Sequence, residues 1–199
     1  DVVLADRLKA ACERLNPGVP EATLNEVASR VMDRRGAMSP LAANRELDGL
    51  IRDGVPVVFE DAQGTKQQQR VRLIDFDALG ATPGDAPGDA LPDRGAVGGA
   101  ADMTGSKPPT NEYLAVSQLW IKAIGHAPRA AYRRPDVILY VNGLPLVFIE
   151  LKNSNVKLRS AFDDNLANYK HDIPQLFHCN AFCVLSNAIE SRVGSFTAE

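Results

Sequence analysis

In this 199-residue chain the residues best suited to chemistry are two acids and a lysine: Asp136, directly after Pro135, and Glu150 and Lys152 in the triplet Glu150-Leu151-Lys152. Between them lie two apolar runs, 137–141 and 144–151, separated by Asn142-Gly143. Asn-Gly between such runs predicts a tight hairpin, because both central residues of that turn need positive φ. Side chains alternate along a strand, so Glu150 and Lys152 fall on the same side of the sheet. Pairing Val141 with Leu144 at the turn sets Asp136 opposite Ile149 and next to Glu150. Two carboxylates and an ammonium then converge at one end of the sheet.

That convergence suits phosphodiester hydrolysis, which must neutralise charge building on a phosphate and make a nucleophile from water near neutral pH. Mg²⁺ does both, and as a hard cation it takes oxygen ligands, typically one or two carboxylates with waters and a phosphate oxygen. Asp136 and Glu150 are the expected ligands, with the Leu151 backbone carbonyl a further candidate. Lys152 is expected to position or help deprotonate the attacking water and to stabilise negative charge. A solvated ion pair is the plain alternative for a Glu-x-Lys on a strand. Against it, these charges end a strand that is otherwise almost continuously apolar, where an ion needs a partner or a metal.

The remaining elements must hold this end in place. Residues 3–15 carry apolar residues at three- and four-residue steps and stop at Asn16-Pro17-Gly18, which predicts a helix. A second helix is expected from about Pro20 to the basic, glycine-terminated stretch Arg34-Arg35-Gly36, and a third from Ser39-Pro40 to Gly54. Strands are expected at 55–60 and 70–76, joined by a polar turn at 61–69. Residues 113–124 read equally as strand or helix. A helix over 160–171, with Ala161, Phe162, Leu166 and Tyr169 inward, and a buried strand at 181–186 complete a strand, strand, helix, strand order, the pattern of an α/β protein.

Composition narrows the class. Formal net charge is −3, so the chain as a whole is no polycation. Between Gln118 and Lys170, however, eight basic residues stand against four acidic ones, which fits one anion-facing surface. Residues 78–109 hold 7 of the 15 glycines and 5 of the 13 prolines and read as a long surface loop or linker. Within them, Ala100 to Lys107 only approaches a phosphate-binding loop: glycine is missing at the first position and Pro108-Pro109 follows instead of a helix. Three cysteines, no apolar run of about 18 residues and a charged amino terminus predict a cytoplasmic chain with no membrane role.

The string from Arg133-Arg134-Pro135-Asp136 through Asn142-Gly143-Leu144-Pro145 to Glu150-Leu151-Lys152 resembles the nuclease core of type I restriction enzyme R (motor) subunits, a PD-(D/E)xK nuclease. Further agreement comes from 169–177, Asn180, Leu15-Asn16-Pro17, Gly54-Val55-Pro56-Val57 and Leu73-Ile74-Asp75-Phe76. The resemblance implies a mixed sheet flanked by helices, of the restriction-endonuclease-like α/β class, with a helical amino-terminal part. It implies that Asp136 and Glu150 bind the metal and that Lys152 is catalytic. It also implies a Gln-x-x-x-Tyr motif on the following helix. Tyr169 matches the tyrosine, with a core position as its alternative, whereas Asn165 takes the glutamine position and is one methylene shorter. Glu46 is a candidate for the extra acid that an early helix often supplies in such sites, a solvated helix face being its alternative.

The expected organisation is a helical part with a strand pair at 1–77, the linker at 78–109 and the nuclease core at 110–199, an amino-terminal piece of a larger subunit. The expected activity is that of a type I site-specific deoxyribonuclease, cutting double-stranded DNA with Mg²⁺ and without base readout. The resemblance implies ATP-hydrolysing motor domains elsewhere in the subunit, and methyltransferase and specificity subunits as partners. A nuclease-like module that has lost cutting and serves in DNA binding or assembly is the alternative. One of Arg133 and Arg134 is a candidate phosphate contact, with a surface ion pair as the alternative. Lys170, Arg129, Lys157 and Arg159 are candidates for the same groove, and Trp120 for core packing. His171 and His178 flank Cys179 and Cys183 at a spacing that matches no common zinc pattern.

Overall fold

The computed structural model describes residues 2–77, 110–124, 132–160 and 165–198. Three helices come first. In α1 (Ala5–Leu15) Leu8, Ala11, Cys12 and Leu15 form the buried side. Helix α2 (Glu21–Met32) ends before the basic stretch that the sequence places in its last turn. The Arg35 guanidinium nonetheless donates to the carbonyls of Arg30, Val31 and Asp33, satisfying acceptors that a helix end leaves open. Helix α3 (Pro40–Asp53) is capped by Ser39, whose Oγ accepts from the Ala42 N–H at 3.2 Å.

An antiparallel pair follows, β1 (Val55–Glu60) and β2 (Lys66–Val71). The second strand corrects the expectation of 70–76. Asp61 Oδ1 accepts from the Gln63 and Thr65 N–H groups and closes the turn early. Because the pair shows one face to solvent, the polar run 67–69 extends as strand. Beyond Val71 the chain leaves the ladder so that Leu73 and Ile74 enter the core.

The ambiguous segment 113–124 resolves into strands β3 (Tyr113–Ser117) and β4 (Ile121–Lys122), the latter paired with β5 (Tyr132–Arg133). Strands β6 (Val137–Val141) and β7 (Leu144–Leu151) form the expected hairpin, with φ of 52° at Asn142 and 80° at Gly143. After a single turn, α4 (Leu158–Ser160), come α5 (Ala167–Asp172) and a 3₁₀ turn (Pro174–Phe177). The chain then crosses over to β8 (Phe182–Ser186), parallel to β7, and ends on β9 (Ser191–Gly194). The result is a mixed five-stranded sheet in the order β3-β6-β7-β8-β9, the α/β architecture expected. Ala161 and Phe162 lie outside the described residues.

Two apolar cores meet at this sheet. One joins α1–α3 and β1–β2 to Leu144 at the hairpin's turn, while the other packs Ile138, Tyr140, Phe148 and Leu185 under Leu166, Tyr169, Ile173 and Phe177. Gly143 sits where α1 touches the sheet. Its carbonyl accepts from the Leu4 N–H at 2.9 Å, and a Cβ there would come within 2.6 Å of the Leu4 carbonyl oxygen. Trp120 departs from its expected core position: it is 65% exposed, its ring edge-on to Tyr132.

The hairpin register also differs from the count through the turn. Val141 pairs with Leu144 and Tyr140 with Pro145, but Leu139 pairs with Val147 and Val137 with Ile149. Leu146 is the extra residue of a β-bulge. Pro145 has no N–H to donate to a ladder, and the Leu146 carbonyl turns to β8, accepting from the Ala181 N–H at 2.7 Å and the Asn180 amide at 3.2 Å. The slip moves Asp136 from opposite Ile149 to beside Glu150. Because a one-residue slip exchanges the two faces of a sheet, it also brings Asp136 to the side that carries Glu150 and Lys152.

Candidate active site

Asp136, Glu150 and Lys152 gather at the end of β6 and β7 away from the turn, on the side of the sheet covered by α5. Glu150 is 2% exposed. Its Oε1 accepts from Lys152 Nζ at 3.0 Å and from the Asn165 amide, whereas its Oε2 is buried with no partner among the described residues. Burial, with the Asp136 charge adding to it, raises the Glu150 carboxyl above its ordinary range, against the opposing bonds from Lys152 and Asn165. Asp136 is held by its neighbour strand: its Oδ2 accepts from the Leu151 N–H at 2.8 Å. Proline at 135 restricts the backbone that leads into it.

Asn165 opens the helical segment that continues as α5, and despite its shorter side chain it reaches Glu150. One turn on, Tyr169 packs edge-on against Phe148 with ring centres 5.6 Å apart, and its hydroxyl donates to the Arg134 carbonyl at 3.3 Å. Burial and the nearby Glu150 and Asp136 charges push its hydroxyl up to about 12. Tyr169 is thus both a core residue and a tether for the loop that carries Asp136.

The two arginines part company. Arg133 forms an ion pair with Asp172, its Nε donating at 2.6 Å. Arg134 is exposed, with its guanidinium 5.2 Å above the Trp120 ring. Lys170 Nζ lies 3.4 Å from the Ala198 carbonyl, to which it donates. Glu46 is on α3 and pairs with Arg35 at 3.2 Å. Arg129 lies outside the described residues. Among the described residues no third His, Cys, Asp or Glu side chain joins the two carboxylates as a metal cluster.

Asp172 falls within the matching stretch 169–177, where its residue type alone assigns it no role. Its carboxylate is buried between His171 Nδ1, at 2.8 Å, and Arg133. The His171 bond, then Arg133, hold it below the usual carboxylate range. It fixes α5 to the strand that leads into Pro135-Asp136. The available signal was an acid in the last turn of a helix, where the macrodipole disfavours negative charge unless a cation answers it.

The donor set is compatible with a hard dication. Two carboxylates on one side of the sheet offer oxygen only, and the partnerless Glu150 Oε2 is a buried acceptor that a cation would satisfy. Among the described residues no helix is long and apolar enough to cross a membrane.

Comparison with known proteins identifies the family. The family model described as type I restriction enzyme R protein N terminus matches residues 1–199. The HindI type I restriction enzyme endonuclease subunit of Haemophilus influenzae is 30% identical over 201 residues, covering 100% of this chain and 16% of that one. A Methanocaldococcus jannaschii protein, provisionally assigned as the MjaIXP type I restriction enzyme endonuclease subunit, is 25% identical over the same 100% and 16%. The SsaAORF53P endonuclease subunit of Staphylococcus saprophyticus is 37% identical over 59 residues, covering 30% of this chain and 6% of its own. The chain therefore spans about a sixth of the length of the two relatives that match it throughout. A match over every residue, together with the mixed sheet, makes this chain a member of the type I restriction enzyme R protein N-terminal family.

Proposed function

We propose that the chain is the endonuclease part of a type I restriction R subunit and hydrolyses DNA phosphodiester bonds at Asp136, Glu150 and Lys152 with Mg²⁺. The observation that carries this reading is Glu150, buried at 2% exposure, with one oxygen held by Lys152 and Asn165 and the other without a partner among the described residues. An acid kept only for stability would be expected to have both oxygens answered, since an unmatched buried acceptor costs about 1–3 kcal/mol.

Asp136 and Glu150 would hold the metal, with the Leu151 carbonyl as a third donor. When bound, Mg²⁺ supplies charge neutralisation at the phosphate and a water more easily deprotonated. The chain's own part is orientation. Asp136 is aimed by the Leu151 N–H, and Lys152, ion-paired with Glu150, sits where it can hold a water or stabilise charge developing on the phosphate. Asn165 keeps the Glu150 carboxylate turned, and Tyr169 ties down the loop before Asp136. Arg134, exposed beside Asp136, is the better placed of the two arginines for a DNA phosphate; Arg133 is engaged with Asp172. Lys170 sits farther along the same helix.

The reading extends to the assembly: DNA, motor domains in the rest of the subunit with their ATP, and methyltransferase and specificity subunits. Net charge of −3 leaves this chain little attraction of its own for DNA, so target choice belongs to those parts. The test is Lys152→Ala in the full-length subunit within its complex. Loss of cutting with translocation and ATP hydrolysis intact is expected. Continued cutting overturns the assignment.

A further inference from the structure

The sheet has a second face, and among the described residues it is largely uncovered. On all five strands the positions that point away from the α5 side are Ala, Leu, Ile, Val, Phe, Tyr or Ser, without one Asp, Glu, Lys or Arg. The amino-terminal helices cover this side only at the turn, around Val141 and Leu144. Away from the turn Leu151 is 50% exposed, Phe182 41% and Val193 68%. A solvated antiparallel sheet alternates apolar with polar residues, and parallel strands, such as β7 and β8 here, are ordinarily buried on both faces. A contiguous apolar patch spanning five strands marks an interaction surface.

We propose that this face is the docking site for a segment of the same polypeptide that follows residue 199 in the intact subunit. The face carries no cation, so a nucleic acid is not its occupant. The family is an R protein N terminus, and the full-span relatives are about six times as long as this chain, which provides the occupant. Beyond β9, the edge strand, Phe196 stacks on Phe177 and the Ala198 carbonyl accepts from Lys170 on the α5 side, so a continuing chain reaches the patch by turning around the β9 edge. A segment tethered there meets the face at an effective concentration on the order of millimolar and needs little intrinsic affinity. Its expected form is a helix or helix pair with an apolar stripe, which supplies the second layer that an α/β sheet requires. The inference stands on the family and the sheet, and is separate from the metal reading.

The test uses the full-length subunit carrying Val193→Cys or Phe182→Cys, with Gln63→Cys at the β1–β2 turn as the exposed reference. The native Cys12, Cys179 and Cys183 are all buried, and peptide mapping reads the labelling at the introduced thiol apart from any thiol elsewhere in the subunit. Maleimide labelling of Val193→Cys and Phe182→Cys is expected to be at least ~10-fold slower than that of Gln63→Cys. A photoactivated cross-linker on the same thiols is expected to capture a peptide from beyond residue 199 of the same molecule. Labelling as fast as at Gln63 overturns the proposal. So does protection whose cross-links fall on a second copy, on another subunit or on residues 78–109. Two positions, one at the edge and one inside the face, keep the result readable if either variant fails to fold.

Discussion

The two ends of the β6–β7 hairpin treat buried polar groups in opposite ways. At the turn, Asn142 is fully buried, and its amide donates to the Leu73 carbonyl and Asn111 Oδ1 while its own oxygen accepts from the Glu112 N–H and Arg14. Asn111 in turn exchanges two bonds with the Asp75 backbone, and Asn16 bridges Cys12 and Arg72. The side-chain groups of these three asparagines are all answered, and the network locks α1, the strand pair and the sheet together. At the other end Glu150 is equally buried, yet one of its oxygens is unanswered among the described residues and its carboxyl is raised. A satisfied buried network specifies a fold; an unsatisfied ion is kept where chemistry needs it. Substitutions at the turn should therefore cost stability, and those at the site should cost activity.

The sharpest contrast is expected from Asp136→Asn, Glu150→Gln or Lys152→Ala in the complete enzyme. DNA cleavage should fall by about 10³-fold or more, since in the proposed function each removes a ligand or charge used at the reacting phosphate. Circular dichroism melts should change little by comparison. A melting temperature that collapses along with cleavage would assign these residues to the scaffold.

Next comes Gly143→Ala. Its φ of 80° strains any other residue, and the added methyl meets the α1 backbone at 2.6 Å, so about 3–5 kcal/mol of stability should be lost. Denaturant unfolding reads this directly. A loss below about 1 kcal/mol would mean that α1 moves freely on the sheet. Asn142→Ala should cost about 2–3 kcal/mol by stranding its four partners, and the same titration measures it.

A smaller, pH-dependent effect is expected at Asp172. His171 first, then Arg133, hold its carboxyl low, so the stability it contributes is present above the ordinary carboxylate range and disappears as pH falls through the depressed value. Asp172→Asn should flatten the acid limb of the stability profile, with a loss near neutrality of about 1 kcal/mol. It should also reduce cleavage modestly by loosening Arg133 and the approach to Asp136. An unchanged acid limb would remove Asp172 from that role.

The smallest effect reverses sign. Because Glu150 is raised by burial, ionising it opposes folding. Its penalty appears as pH climbs above the ordinary carboxylate range and is complete above the raised value. In metal-free protein near pH 7, Glu150→Gln should raise the melting temperature by about 2–4 °C, the counterpart of ~1 kcal/mol. Added Mg²⁺ should stabilise the unsubstituted protein and leave the variant unmoved. A lower melting temperature for metal-free Glu150→Gln would place the carboxylate among stabilising groups.

Much of this molecule was legible along the chain. Helix periodicity, the Ser39-Pro40 start, the Asn142-Gly143 turn and two long apolar runs are local, and local steric and hydrogen-bonding preferences determine them. The pairing of residue types at 136, 150 and 152 was likewise visible, as was the helix bearing Asn165 and Tyr169. Three things depended on contacts between distant segments. Strand β2 begins earlier than its apolar residues suggest because a two-stranded pair tolerates polar side chains on its open face. Trp120 lies outside, its ring set between Tyr132 and the Arg134 guanidinium, contacts from strand β5 and the residue after it that no local pattern announces. Above all, the bulge at Leu146 moves Asp136 onto the side of Glu150. A proline that cannot donate and a carbonyl captured by Ala181 and Asn180 decide that slip. No count through the turn contains it, because a strand's register is set by what it pairs with on both sides.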